Sequence, residues 1–322
     1  MKKILILNNT FSTKKYMVLF FLLLFIIFVR NIIVFANENV IEVDKKPIAV
    51  MIGNSPAEQN IQKGLSRADV IYEIEVEFPF TRLMAIFSTK TDTEVGPVRS
   101  SRFYFSRICA EWSAMFAHCG GQSLKNSNII DLNELSYPAP YWRDEKIGGW
   151  INLFTNLSNL TKQSKSLDNY LNNNQAQHPL LNIKESEPGD YNQVKKISIK
   201  YHKDYIVSYD YCLDDNKYYR YINNKPHFDN ETNEQIKVSN IIIQTTKIEN
   251  IIGDNEGRIQ VELIGEGAGR FFKEGISQPV KWTKKNKDEQ TSFLDSKNNI
   301  INYGPGIIWV HILDHDKEIW CK

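Results

Sequence analysis

Residues 69–102 gather opposite charges beside apolar runs in a way that a plain core does not require. Asp69, Glu73, Glu75 and Glu77 punctuate one apolar run, Arg82 opens the next, and Gly96-Pro97-Val98-Arg99-Ser100-Ser101-Arg102 closes the stretch. A charge withdrawn from water is costly unless it is paired or holds a ligand. Guanidinium forks suit carboxylate or phosphate, which they bind through paired hydrogen bonds. The glutamates suit orienting those forks, pairing with them, or moving protons.

Just downstream, Phe105, Ile108, Cys109 and Trp112 recur at helical spacing. A helix over 100–112 takes Ser100 or Ser101 as N-cap, which stands Arg99 and Arg102 at its start. The dipole disfavours a cation there and favours an anion, held by free N–H groups and guanidiniums together. The competing arrangement is internal, with Arg99 and Arg102 paired to Glu73 or Glu77.

Other polar residues could join the group. Asn54 follows an apolar run at 47–52. His118 ends another at 113–119, ahead of Gly120-Gly121, where glycines permit a sharp turn or a close approach to a ligand. His118 reads as a base, a metal ligand or a hydrogen-bonded core histidine. Glu73, Glu77 and His118 could hold a metal, but spacing fixes no such geometry, so neither metal nor cofactor is assigned. In the second half, His227 and Asp229 follow Pro226, and Asp229 reads as an acceptor for turn N–H groups. The four cysteines, at 109, 119, 212 and 321, contain no CxxC pair. They read as buried thiols, with a Cys109–Cys119 disulfide as the alternative.

The elements that must position these residues follow from pattern. Apolar runs at 47–52, 70–76, 83–87 and 113–119 predict buried strands. Residues 128–135 predict a short helix, and a polar helix runs over about 156–171, capped by Asn156 or Ser158. From residue 196 the period becomes two, with turn residues between strands and a hairpin signature at Asp214-Asp215-Asn216. Aromatic residues make up 12% of the chain, and the tyrosines crowd into this half, which favours strands. The expected fold class is α/β (α+β): a layered, mixed-sheet N-terminal domain with helices over 47–190, and a β-rich, mostly antiparallel domain over 191–322.

Ahead of both, Lys2, Lys3, Lys14 and Lys15 precede an apolar run at 17–29, with Val34-Phe35-Ala36 beyond it. This is the order of an export signal over residues 1–36, or of an N-terminal membrane anchor, followed by a linker at 37–46. Both place the rest of the chain outside the cytoplasm. The formal net charge of +1 shows none of the basic excess usual in nucleic-acid binders, so no nucleic-acid partner is expected.

The order of motifs resembles the YerB-like family, also called DUF3048, of Gram-positive cell envelopes. The resemblance is carried by Pro47-Ile48-Ala49-Val50-Met51-Ile52 with Asn54, Gly64-Leu65-Ser66, Tyr72-Glu73, Glu77, Thr81-Arg82, Gly96-Pro97-Val98-Arg99-Ser100 with Arg102, His118 with Gly120-Gly121, and Asn152-Leu153 with Thr155. Tyr219-Arg220, Pro226-His227 with Asp229, and Trp282 extend it into the second half. The resemblance implies an extracytoplasmic life and the same two-part architecture, but no reaction. The chain departs from the family in lacking a lipobox cysteine, and in carrying Ile151 where relatives tend to have a histidine.

Three functions remain in view. The favoured one is a non-catalytic binding module, membrane-associated only through its N-terminal segment. Its candidate ligand site comprises Asn54, Glu73, Glu77, Arg82, Arg99, Ser100, Arg102, His118 and Asn152, and its ligand is an anionic cell-wall fragment. The second is an envelope hydrolase or transferase using Glu73 or Glu77 with His118, although no GxSxG, SxxK or HExxH occurs. The third is a scaffold docking another envelope protein through strand edges at 196–320.

Overall fold

The structure, a computed structural model, describes residues 46–77, 79–88, 92–122, 129–167, 192–287 and 289–322. The expected export segment, the Asn/Gln-rich tract at 172–177 and most of the expected boundary at 182–195 lie outside the described residues.

One long sheet organises the molecule. Its strands are β1 (Ile48–Gly53), β2 (Val70–Glu75), β3 (Thr81–Phe87), β4 (Met115–His118) and β5 (Ile130–Asn133) from the first half of the chain. The second half adds further strands to it and also builds a smaller sheet from β6 (Lys196–His202), β7 (Tyr205–Cys212) and β8 (Lys217–Ile222). The additions to the long sheet are β9 (Asn240–Thr245), β10 (Gly265–Lys273), β11 (Ile276–Lys284), β12 (Ser292–Leu294) and β13 (Ile308–Leu313), and β14 (Glu318–Cys321) completes the small one. The long sheet runs β12-β11-β10-β9-β13-β2-β3-β1-β4-β5. Thus β13 lies between β9 and β2 and is parallel to both. β4 is likewise parallel to β1 and β5, whereas β2, β3 and β1 pair antiparallel.

Alternation along the strands gives each face its own core. Ile48, Val50, Ile71, Leu83 and Trp309 face the small sheet and pack with its Ile197, Ile199, Val207 and Tyr209. Ala49, Met51, Met84 and Ile86 face the other way and meet Phe105 and Ile108 of helix α2 (Phe103–Glu111) and Trp112, its C-cap. The remaining α-helices among the described residues are α1 (Pro56–Gln59) and α3 (Leu157–Ser166).

This is a β-rich fold, which corrects the expected α/β layering. The buried apolar runs are strands, as expected, but the helices expected to layer on them are few and short. One face is instead roofed by a second sheet. The run at 128–135, expected to be helical, supplies strand β5, in which Ile130 and Leu132 alternate with Asp131 and Asn133. The helical spacing at 105–112 does give a helix, but its N-cap is Arg102, and the Ser101 hydroxyl turns to the Arg102 carbonyl oxygen instead of capping. Asn156 caps α3, accepting from the Ser158 N–H at 2.8 Å.

Candidate functional site

The Gly96–Arg102 segment crosses the carboxyl ends of β1 and β4. The Gly53 N–H donates to the Pro97 carbonyl, the Arg99 N–H to Met51, and the Cys119 N–H to Arg99. The carboxyl ends of the parallel strands β1 and β4 form a rim there. This threading lays arginine side chains along that rim.

Arg99 is nearly sealed. Its Nε pairs with the Glu58 carboxylate, its Nη1 donates to the Trp150 carbonyl at 2.9 Å, and its guanidinium lies 3.9 Å from the Trp150 ring centroid. Its Nη2 is buried and meets no acceptor among the described residues. Burial pulls its pKa down, against the opposing pull of Glu58. Trp150 covers it from outside and is itself 71% exposed.

Arg82, opposite Gly53 in the β1–β3 register, donates from Nη1 to the Ser100 carbonyl at 2.6 Å. Glu77 serves two arginines: its Oε1 bonds Arg102 Nε, and its Oε2 lies 3.9 Å from Arg82 Nη2. Burial would raise the Glu77 carboxyl, but Arg102 holds it below the usual range. Burial and the neighbouring Arg102 lower Arg82 to about 10. Three guanidiniums therefore share the carboxylates of Glu58 and Glu77, leaving one positive charge in surplus.

Arg102 also lines an open cleft of about 550 Å³. Arg107 and Arg258 stand around it, and Phe103, Tyr104, Ile251 and Val261 give it apolar walls. Arg107 stacks on Phe103 at 4.5 Å and has no carboxylate partner among the described residues. Arg258 is held by Asp254, through Nε at 2.6 Å, and by Glu256. The first turn of α2 carries no acidic residue of its own to offset the partial positive charge of the helix start.

Glu73 and Asn54 belong elsewhere. Glu73 is completely buried and pairs with Arg220 of β8 at 2.9 Å. Its Oε1 accepts from Tyr205, Thr81 and Asn54, and its Oε2 from Trp309. Arg220 Nε donates to His227 Nδ1 at 3.1 Å, so His227 Nε2 carries the proton and donates to Gln62 at 2.6 Å. Gln62 in turn donates to Asn54 Oδ1 at 3.0 Å, closing a ring. Burial alone would raise the Glu73 carboxyl, but Arg220, His311, Tyr205 and Thr81 hold it below the ordinary range. His311 meets Tyr201 and Tyr209 through its two ring nitrogens, and burial lowers it to about 3. A ring whose members satisfy one another in this way is rigid.

His118 is also fully buried, with Nδ1 at 2.8 Å from the Gly120 carbonyl and Nε2 at 2.8 Å from Asp131. Asn152 accepts from Arg143 and donates to the Asp144 carbonyl. The expected site thus divides. Glu77, Arg82, Ser100 and Arg102 come together, with Arg99 adjoining them through Glu58; Asn54 and Glu73 form the buried ring; His118 and Asn152 stand in networks of their own. Among the described residues, no three His, Cys, Asp or Glu side chains gather as a metal cage. Nor is any helix there long and apolar enough to cross a membrane.

Residues 36–170 match the N-terminal domain, and residues 197–310 the C-terminal domain, of the family described as "Protein of unknown function (DUF3048)". The chain belongs to the DUF3048 family. It is 26% identical over 279 residues to the Bacillus subtilis (strain 168) protein named "Putative lipoprotein YerB", across 84% of this chain and 82% of that one. The crystal structure of YerB superposes with a TM-score of 0.74, covering 87% of this chain and 95% of that chain. The DUF3048 motifs now have positions. Gly64-Leu65-Ser66 presents backbone N–H groups to Asp229, at 2.9 Å from Gly64 and 2.6 Å from Ser66. Glu73 and Arg220 form the buried pair, and Gly-Pro-Val-Arg-Ser is the rim segment. Arg220 and His227 stood out in the sequence only as motif residues outside the candidate site, and the partners His311 and Glu58 and the cleft residues Arg107 and Arg258 did not stand out at all.

Proposed function

We propose that the protein is an extracytoplasmic binding module whose cleft at the start of α2 grips an anionic, partly apolar envelope ligand. Wall phosphate and peptide carboxylate are the two chemical sources. The extracytoplasmic placing draws on the lysine-led apolar N-terminus and on likeness to a protein whose name is that of a lipoprotein.

The observation that carries the reading is the cleft of about 550 Å³ in which Arg102, Arg107 and Arg258 surround apolar walls. Its volume falls in the range of small-ligand sites. Guanidiniums with spare donors recognise oxyanions in pairs. The acid-free helix N-terminus adds partial positive charge from the same side. A catalytic reading lacks comparable support, because Glu73 and His118 are both fully buried.

The test is calorimetric titration of the protein with a glycerol-phosphate oligomer and with a short peptide bearing a free carboxylate. Arg107→Ala should weaken whichever ligand binds by about tenfold, corresponding to one lost charge-assisted hydrogen bond. Binding of neither probe, or binding indifferent to Arg107→Ala, refutes the reading.

A further inference from the structure

A second cleft, of about 520 Å³, opens between the α1 segment and the chain following β8. Pro56, Gln59 and Asn60 line one side, and Lys225, Phe228, Asn230 and Asn233 line the other. We propose that this cleft binds a neutral oligosaccharide, by stacking a sugar face on Phe228 and accepting hydroxyl hydrogen bonds on the amide oxygens of Gln59, Asn60 and Asn230.

The amides are fixed through their nitrogens. Gln59 Nε2 donates to the Asn54 carbonyl at 2.9 Å, and Asn60 Nδ2 to the Pro56 carbonyl at 3.1 Å. Asn230 Nδ2 donates to the carbonyls of Asn60 and Gln62, each at 3.1 Å. Each amide therefore keeps its oxygen for something else, in a fixed orientation. No described residue donates to these three oxygens. Groups already held in place lose little freedom on binding.

Phe228 is presented with equal rigidity. It is 49% exposed, although both its chain neighbours are buried. His227 is locked into the Glu73 ring, and Asp229 accepts from Gly64 and Ser66. The short Phe228–Asp229 strand also pairs with Glu234–Gln235. The ring is thus held outward by contacts on either side of it.

The lining selects the ligand by exclusion. Uncommitted amide oxygens repel an anion. Lys225 disfavours a cation, and no carboxylate lines the cleft to hold one. His227 is kept uncharged, because burial and then Arg220 push its pKa well down. A neutral polyol suits these groups: hydroxyls donate to the amide oxygens, another hydroxyl accepts from Lys225, and a C–H face lies on the ring.

The experiment is titration of the protein with cellotetraose, maltotetraose and an N-acetylglucosamine tetramer, followed by amide chemical shifts and by calorimetry. Saturable binding of at least one is expected, with shifts centred on residues 56–60 and 223–233. Phe228→Ala and Phe228→Leu should each weaken it by about tenfold or more, while Trp320→Ala, an exposed ring outside the cleft, leaves it unchanged. A native circular-dichroism spectrum for each variant separates loss of binding from loss of fold. Absence of binding across the three sugars overturns the proposal, as does binding that survives both Phe228 substitutions.

Discussion

Glu73 and Arg220, 147 positions apart in sequence, meet at 2.9 Å with neither side chain exposed to solvent. Every oxygen of the carboxylate is occupied, and the guanidinium also lies 4.0 Å from the Trp309 ring centroid. A pair this completely dehydrated is strongly destabilising to break from one side, because the other charge is left buried alone.

Glu73→Gln or Arg220→Met should therefore each lower unfolding free energy by about 3–5 kcal/mol. The double variant should recover much of that loss, since neither charge remains unpaired. Urea unfolding of the four proteins in a cycle measures the coupling. Additive losses would mean that the pair contributes nothing as a pair.

Acid should act on the same cluster before it reaches the carboxylates. His311 has an ordinary pKa of 6.5 and sits at about 3 when folded, and His227 also lies well below its ordinary value. A folded pKa below the unfolded one means that the unfolded chain binds protons first. Stability is then full above pH 6.5 and falls as pH drops, by about 1.4 kcal/mol per unit for each histidine. Glu73, lowered from 4.5, adds its own loss below that value. Urea midpoints between pH 7.5 and 5 should decline, and His311→Phe should flatten the decline.

Much of this cluster escaped the sequence reading for a physical reason. Strand periodicity is local, so it marked β6 to β8 well, and the turn at Asp214-Asp215-Asn216 joins β7 to β8 as expected. Periodicity says nothing about which distant strand a side chain will face. One signal was legible: in β8, Arg220 occupies an inward position between buried Tyr218 and Ile222. An arginine there demands a buried acid. The charged rim was legible in kind, with Arg102 paired to Glu77 as one of the two arrangements considered. Arg99, however, chose Glu58, a residue with no distinguishing pattern. The layered α/β reading failed because buried strands look alike whether helices or another sheet cover them.

Gly121 should tolerate no side chain. Its φ is +81°, and an added Cβ would lie 2.2 Å from the Ser101 carbonyl oxygen and 2.8 Å from its nitrogen. Both are backbone atoms of the rim segment that cannot swing aside. Gly121→Ala should cost at least about 2 kcal/mol, combining left-handed strain with the clash. A thermal melt showing no change would refute this.

Asp229→Asn should be similarly revealing. The carboxylate accepts from the backbone N–H groups of Gly64, Ser66 and Glu231, and Asp229 is fully buried. An amide offers one fewer accepting oxygen and turns a donor toward a donor. A loss of about 1–3 kcal/mol is expected, read from urea midpoints.

The position of β13 bears on when the molecule can close. Its residues, Ile308–Leu313, occupy the slot between β2 and β9, so the hydrogen-bonding edge of Val70–Glu75 stays bare while more than two hundred later residues emerge. An unpaired, apolar strand edge is a template for the wrong neighbour. A chain that emerges amino end first therefore cannot close this edge with its native partner until residues 308–313 are available.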